Sequence, residues 1–488
     1  MSKNLTQIQS NIELNNDTGV IMKKIIKNYL YTSAYQIFIL LLPVITLPYV
    51  SRVLMPAGIG TNSWVSAVNS YFVLFAVLGL TTYGQREIAL CRDDPAKMRR
   101  AFWQLELASV VTSLITLIGY FFFIVIVNQH ILLLFIYSMS IIACIFDISW
   151  FFSGLENFRL LMMRNFIIKS CSIILILTCV KSPADIWIYV LIQSGSVLVS
   201  NISLWPVALK IIGKPILQDL KGVLNRVHHS VRFFIPQASI NVYVTLNKVL
   251  LGFISTKTQT GYFDSSDKLL RMLFSLFLAA STVILPRMAN LFAHHDFKRI
   301  KKFVTGMIGL SLWAILLAIY LIFTNAALIV RIVLGSQYLS MIPVLQTAVF
   351  MLLPMALSNV LANQYLVPLD RIRVYTQSVI YGAVFNLVIE IPLIMFKQAI
   401  GAALASVLSE IVVTSIQILY CKNDFKFLEY LKSCSTMLFA GGLMILEGII
   451  VTNFINNIFV VLGISIITVA IYCMVTVRWL NSTFKRMA

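Results

Sequence analysis

Lys248, Asp264, Asp267, Lys268 and Arg271 crowd into 24 positions of a chain in which only 12% of residues are charged. Asp264 and Lys268 are four apart, as are Asp267 and Arg271, so on a helix each acid shares a face with a base. Two readings fit this spacing. The pairs neutralise each other and lock helices together, or they line a cavity whose positive excess holds an anion. With Arg52 included, four cations stand against two acids. That excess suits a polyanion such as a diphosphate, which lysine and arginine clamp through charge-assisted hydrogen bonds. Arg86 and Arg287 are weaker candidate cations, because each closes an apolar run, where an ordinary topology anchor is the plainer explanation. Asp264, Asp267 and Glu390 are the candidate pairing or coupling acids. Glu410 and Glu447 are isolated acids in later apolar runs and read as proton sites or helix–helix hydrogen bonds. Asp147 and Glu156 flank Trp150-Phe151-Phe152.

Other chemistries lack their residues. There is no G-x-x-x-x-G-K-[ST] phosphate loop and no H-E-x-x-H, so ATP hydrolysis and zinc catalysis are not expected. None of the seven cysteines forms a C-x-x-C pair, and they read as small buried apolar residues. The pairs His228-His229 and His294-His295 lie in basic loops with no matching acid or thiol cluster. No metal, no cofactor and no catalytic residue is expected, and the chain is not read as an enzyme.

The elements that carry these charges must sit in lipid. Hydrophobic residues make up 59% of the 488, and mean hydropathy is +0.88. Ordinary globular chains are roughly 45–50% apolar and about 25% charged. The net charge of +19 would suit a nucleic-acid binder, but the cations lie between apolar runs rather than on one soluble face. Runs long enough to cross hydrocarbon fall near 26–50, 60–83, 102–127, 131–152, 160–180, 185–209, 231–255, 265–290, 303–324, 342–368, 374–396, 398–421, 434–453 and 456–479. The stretch 325–341 reads as a partial span. The class is therefore an all-α integral membrane protein of about fourteen spans.

With the N-terminus inside, 30 of the 38 lysines and arginines fall in inner segments and five in outer ones. Both termini are expected in the cytoplasm. The polar stretch Met1–Val20 has no apolar segment beside a basic one, so no cleavable signal is expected. The domains expected are a tail (1–25), a six-helix bundle (26–210), a linker (211–230), a second six-helix bundle (231–421) and two additional spans (433–480). A duplication supports that division. Ser51-Arg52-Val53-Leu54 leads to Gly60, Asn247-Lys248-Val249-Leu250 leads to Gly261, and Arg86 and Arg287 each follow their glycine by 26 residues. Both copies start on the same side, as in parallel repeats.

With these residues in view, the chain resembles the polysaccharide repeat-unit flippases (Wzx type) of the multidrug/oligosaccharidyl-lipid/polysaccharide exporter superfamily. The matching stretches are Lys27-Asn28-Tyr29-Leu30-Tyr31, Leu47-Pro48-Tyr49-Val50-Ser51-Arg52-Val53-Leu54 and Tyr83-Gly84-Gln85-Arg86-Glu87-Ile88-Ala89. Gly261-Tyr262-Phe263 with Asp267-Lys268 and Leu285-Pro286-Arg287-Met288 complete the set. The resemblance implies two six-helix bundles forming a V around a central cavity, in a bacterial cytoplasmic membrane. It implies a cargo, an undecaprenyl-diphosphate-linked oligosaccharide turned from the inner to the outer leaflet for capsule, exopolysaccharide or O-antigen assembly. It also implies a diphosphate-binding role for Arg52, Lys248, Lys268 and Arg271, and secondarily for Arg86 and Arg287. The partners implied are the lipid-linked oligosaccharide, membrane lipids and polysaccharide polymerase or assembly proteins, with no nucleic acid. The alternatives are a lipid II flippase, a cation-coupled multidrug exporter and, in another class, a membrane polysaccharide polymerase. Span one holds no acid, which counts against the drug exporter; the short outer loops count against the polymerase.

Overall fold

Hydrocarbon offers no partner for an open N–H or C=O, so a chain this apolar must close its hydrogen bonds within helices. The computed structural model describes residues 42–215, 220–293, 297–422, 424–425, 434–455 and 457–487, and every regular element among them is helical. In chain order the helices are α1 (42–77), α2 (Leu80–Cys91), α3 (Pro95–Val127), α4 (Ile131–Ile145), α5 (Ser149–Gly154) and α6 (Phe158–Cys179). There follow α7 (Ile186–Ile202), α8 (Trp205–Ile212), α9 (Leu220–Ile254), α10 (Lys257–Ala293), α11 (Phe297–Thr324) and α12 (Ala326–Val333). The last are α13 (Ile342–Ala348), α14 (Leu352–Leu361), α15 (Ile372–Cys421), α16 (Ser435–Phe454) and α17 (Ile458–Met487). The tail, the opening of the first span with Lys27–Tyr31, and His294-His295 lie outside the described residues. So do the side chains of Leu285-Pro286-Arg287-Met288.

Ten helical stretches among the described residues are long and apolar enough to cross a membrane. Two of them, Leu42–Cys91 and Ile372–Cys421, hold 50 residues each. A straight helix of that length would run about 75 Å, more than twice the ~30 Å of hydrocarbon, so each holds two crossings. In α15 the reversal sits at Gln398 (φ 50°, ψ −125°). Gln417 Nε2 donates to Ser378 Oγ at 3.0 Å, and a Cβ on Gly382 would stand 2.3 Å from Val413. Rising numbers on one arm thus meet falling numbers on the other, which is a helical hairpin. The first stretch is broken at Met55 (φ 61°) and again at Leu78 and Gly79 (φ 42° and 75°). Splitting these two stretches and adding α9 and α10, of 35 and 37 residues, gives the fourteen crossings expected. The eight residues of α12 are too short to cross. The 325–341 stretch is therefore a short helix that turns at Gly335 (φ 101°).

The chain forms two compact units. Among the described residues, the first takes 42–46, 72–181 and 187–235, and the second takes 47–71, 182–186 and 236 onward. The first unit's core is aromatic. Phe102 packs on Trp150 and Phe151, with ring centroids 5.3 and 5.0 Å apart. Gly84 leaves room for Trp150, because a Cβ there would lie 2.9 Å from its ring. Asp94 opens α3: its Oδ1 accepts from the amides of Ala96 and Lys97 at 3.1 Å each. The Lys97 amide and ammonium hold the Asp94 carboxyl below the usual carboxylate range.

In the second unit α11 is the central post. Trp313 Nε1 donates to Thr476 Oγ1 at 3.0 Å, Tyr320 Oη to Glu447 Oε2 at 2.7 Å, and Asn325 Nδ2 to Ser465 Oγ at 3.1 Å. These bonds fasten α16 and α17 to the post, and Glu447 takes the helix–helix hydrogen-bond role. The outer surface is apolar: Ile118, Phe122, Phe396 and Phe459 are 69–83% exposed. In water such faces aggregate; in a bilayer they are solvated. The same reasoning corrects the expectation that every cysteine is buried. Cys144, Cys421 and Cys434 are buried, but Cys171 and Cys179 are exposed on α6.

Candidate functional site

The ionisable cluster is built on the part of α9 beyond residue 235 and on the first half of α10, both in the second unit. Small residues let a third helix close on them. A Cβ on Gly252 would stand 2.0 Å from the Trp64 ring of α1. The Lys257 ammonium lies 3.8 Å from that ring's centroid and donates to the Gly252 carbonyl at 2.7 Å.

On this frame the charges form a ladder. Lys268 Nζ lies 2.5 Å from Asp264 Oδ2. Asp264 Oδ1 lies 2.8 Å from Lys248 Nζ, which is also 3.4 Å from Asp267 Oδ2. Asp267 Oδ1 then accepts from Arg271 Nε at 2.7 Å. The order is cation, acid, cation, acid, cation. Depth follows sign: the Asp264 and Asp267 side chains are 1% and 7% exposed, whereas those of Lys268 and Arg271 are 42% and 38% exposed. Ionised acids survive that deep only when paired, and each here has two cations. The pairing reading has its geometry here: the acids fix the cations, and the Glu410 carboxylate shares a lining with Arg271.

Beside Arg271 is a cavity of about 10 Å³, room for roughly one water. Its polar lining includes Asn247, Asn386, Ser406 and Glu410, and Asn247 Nδ2 donates to Ser406 Oγ at 2.6 Å. Sequence reasoning left these α9 and α15 residues out of the site. The signal was present in Asn247 directly before Lys248 and in Glu410 inside an apolar run.

The other candidates lie elsewhere. Arg52 is exposed, and its guanidinium donates to the carbonyl of Ile332 near the end of α12, where a cation meets the negative end of the helix. It is not a rung of the ladder. Arg86 is exposed in the first unit. The Arg287 backbone belongs to α10, and its side chain lies outside the described residues. Glu390 is fully buried on the first arm of α15, and neither of its oxygens has a hydrogen-bond partner among the described residues. Among the described residues no group of three or more histidines, cysteines and acids could hold a metal.

A paired ladder with half-exposed cations has the chemistry to hold an anion and let it go. Known proteins agree with a transporter. The chain is 27% identical, over 412 residues, to a protein of Escherichia coli (strain K12) described as an O-antigen transporter, spanning 82% of this chain and 97% of that one. It is 23% identical, over 384 residues, to a protein of Shigella dysenteriae with the same description, spanning 76% and 94%. Its fold resembles that of the lipid II flippase MurJ in an inward closed conformation (TM-score 0.70, 15% identity, 94% of this chain and 100% of that one). It also resembles an inward-facing multidrug resistance MATE family transporter of the MOP superfamily (TM-score 0.56, 11% identity, 79% and 98%). A model of the polysaccharide biosynthesis protein family matches residues 25–292. With more than half its length matched in this way, the chain belongs to the polysaccharide biosynthesis protein family.

Proposed function

We propose that the chain is a flippase. It moves an oligosaccharide repeat unit linked to undecaprenyl diphosphate from the inner to the outer leaflet of a bacterial cytoplasmic membrane, with both termini in the cytoplasm. The polymer supplied is a capsule, exopolysaccharide or O-antigen. The observation that carries this reading is the ladder: two half-exposed cations, Lys268 and Arg271, mounted on buried carboxylates. The diphosphate engages those two ends while the lipid tail stays in the bilayer. The site is then exposed to one side of the membrane and afterwards to the other, and the head leaves outward. Membrane potential assists this movement, because carrying one charge through 100 mV is worth about 2.3 kcal/mol. The E. coli and Shigella relatives, described as O-antigen transporters, support the choice of cargo.

The test is complementation of a deletion strain. Wild type restores surface polysaccharide, and Lys268→Gln with Arg271→Gln does not, at equal protein level in the membrane. Normal polymer from the double variant refutes the ladder's role. The deletion phenotype separates the rivals. A flippase loss removes the polymer, whereas a polymerase loss leaves single repeat units outside. Lethality through loss of peptidoglycan would identify a lipid II flippase, and drug resistance on overexpression a multidrug exporter.

A further inference from the structure

A second concentration of positive charge lies within the first unit. A cavity of about 810 Å³ opens where α2, the start of α3 and the start of α9 converge. Its wall carries Arg86, Lys97, Arg100, Arg226 and Arg232 against the single carboxylate of Glu87. Cations that merely anchor helix ends point into solvent or headgroups independently; these five surround one hollow.

The floor is organised. Arg226 donates from Nη1 to Tyr83 Oη at 3.0 Å and to Glu87, and from Nε to Gln104 Oε1 at 3.2 Å. Burial works against this cation, but the Tyr83 hydroxyl and the Glu87 carboxylate outweigh it and hold the guanidinium above its ordinary value. Gln104 fits because residue 222 is glycine, where a Cβ would come within 2.6 Å of its Nε2. Above the floor, Arg86, Arg100 and Arg232 are exposed and make no ion pair among the described residues. The volume lies within the roughly 300–1,000 Å³ of small-molecule sites. Leu90 and Phe233 give it an apolar edge, and it sits where α2 and α3 leave their apolar runs.

We propose that this pocket binds the phosphate of a lipid headgroup, at a site separate from the ladder. Three arginines that make no ion pair among the described residues, set around a fixed fourth, match phosphate oxygens through planar, two-pronged donors. The apolar edge suits the first carbons of the lipid. An anionic phospholipid and a polyprenyl diphosphate share this chemistry. If the occupant is the diphosphate carrier, the inference rests on the flippase reading and the pocket is a loading station; if it is a phospholipid, the inference stands without that reading.

The experiment uses the full chain in neutral detergent, titrated calorimetrically with inorganic pyrophosphate. Wild type binds saturably, and the Arg86→Gln/Arg232→Gln protein binds at least about tenfold more weakly, as loss of two charge-assisted contacts requires. Arg100→Gln alone, at an exposed position, weakens binding several-fold and serves if the double variant does not fold. Unchanged affinity in these folded variants overturns the proposal. So does a loss seen only in Lys268→Gln/Arg271→Gln, since the anion would then belong to the ladder. In a second arm, protein from bilayers of phosphatidylcholine and phosphatidylglycerol is weighed by native mass spectrometry. Phosphatidylglycerol retained by wild type and lost from the double variant names the phospholipid; pyrophosphate binding without such retention names the carrier. The polysaccharide assay on the ladder variants reports on the flippase reading separately.

Discussion

Gly60 of α1 and Gly261 of α10 meet backbone to backbone. A Cβ on Gly60 would lie 1.6 Å from the Lys257 carbonyl oxygen and 2.6 Å from the Gly261 nitrogen, and one on Gly261 would lie 2.0 Å from the Pro56 carbonyl oxygen. These are the two glycines that the repeat expected from the sequence would align, and only hydrogen fits between them. The same crossing brings Trp64 onto Gly252, next to the start of the ladder on α9.

Alanine at either glycine is therefore expected to destabilise the protein by about 3 kcal/mol or more, at or above the upper end of ordinary overpacking, because the obstacle is backbone. Gly119 of α3 faces open space, with nothing within 4 Å of where a Cβ would stand. Gly119→Ala should be neutral or stabilising by up to about 1 kcal/mol through helix propensity. Apparent melting temperatures in detergent compare the three. Equal values for all would show that α1 and α10 do not approach this closely.

Depth in the ladder should decide what each substitution breaks. Asp264→Asn leaves Lys248 and Lys268 facing an uncharged group in a buried place, and removing one partner of a buried pair costs about 3–5 kcal/mol. Lys268→Gln removes a half-exposed end and is expected to cost about 1 kcal/mol or less, while abolishing polysaccharide export. Fluorescence-detected gel filtration after graded heating reads stability, and surface polymer reads export. A Lys268→Gln protein that fails to fold would contradict this division.

Gln398 holds a backbone conformation that suits glycine. Gln398→Gly should raise stability by about 1 kcal/mol, because it relieves the turn without touching either arm of the hairpin. Gly401→Ala should do the reverse, since a Cβ there would stand 2.0 Å from the Leu393 carbonyl oxygen. The sign of the difference between the two melting temperatures is the test.

Glu390 makes no hydrogen bond among the described residues through either oxygen. Glu390→Gln keeps its shape and removes no contact, so the expected change in stability is below about 1 kcal/mol. A loss of several kcal/mol would reveal a partner for the carboxylate. Equal folding with lost export would make the acid part of the transport cycle.

Long-range order was the hard part to read. The spans were legible because twenty apolar residues in a row have few other uses, and the break at Lys397-Gln398 interrupts one such run at its turn. Helical spacing alone placed Asp264 with Lys268 and Asp267 with Arg271. It could not show Lys248 reaching both acids, which depends on how α9 packs against α10. Arg52 read as a companion of these charges, yet its partner is a carbonyl 280 positions along the chain. The five cations of the first-unit pocket come from three helices, and no local pattern connects Arg100 to Arg226.

Lys248 touches both acids of the ladder. In the proposed cycle, a phosphate that draws Lys268 away leaves Asp264 with Lys248, and one that draws Arg271 away leaves Asp267 with the same lysine. On that reading guests come and go at the two outer rungs while the middle one keeps its grip, and neither carboxylate is stranded in oil during the exchange.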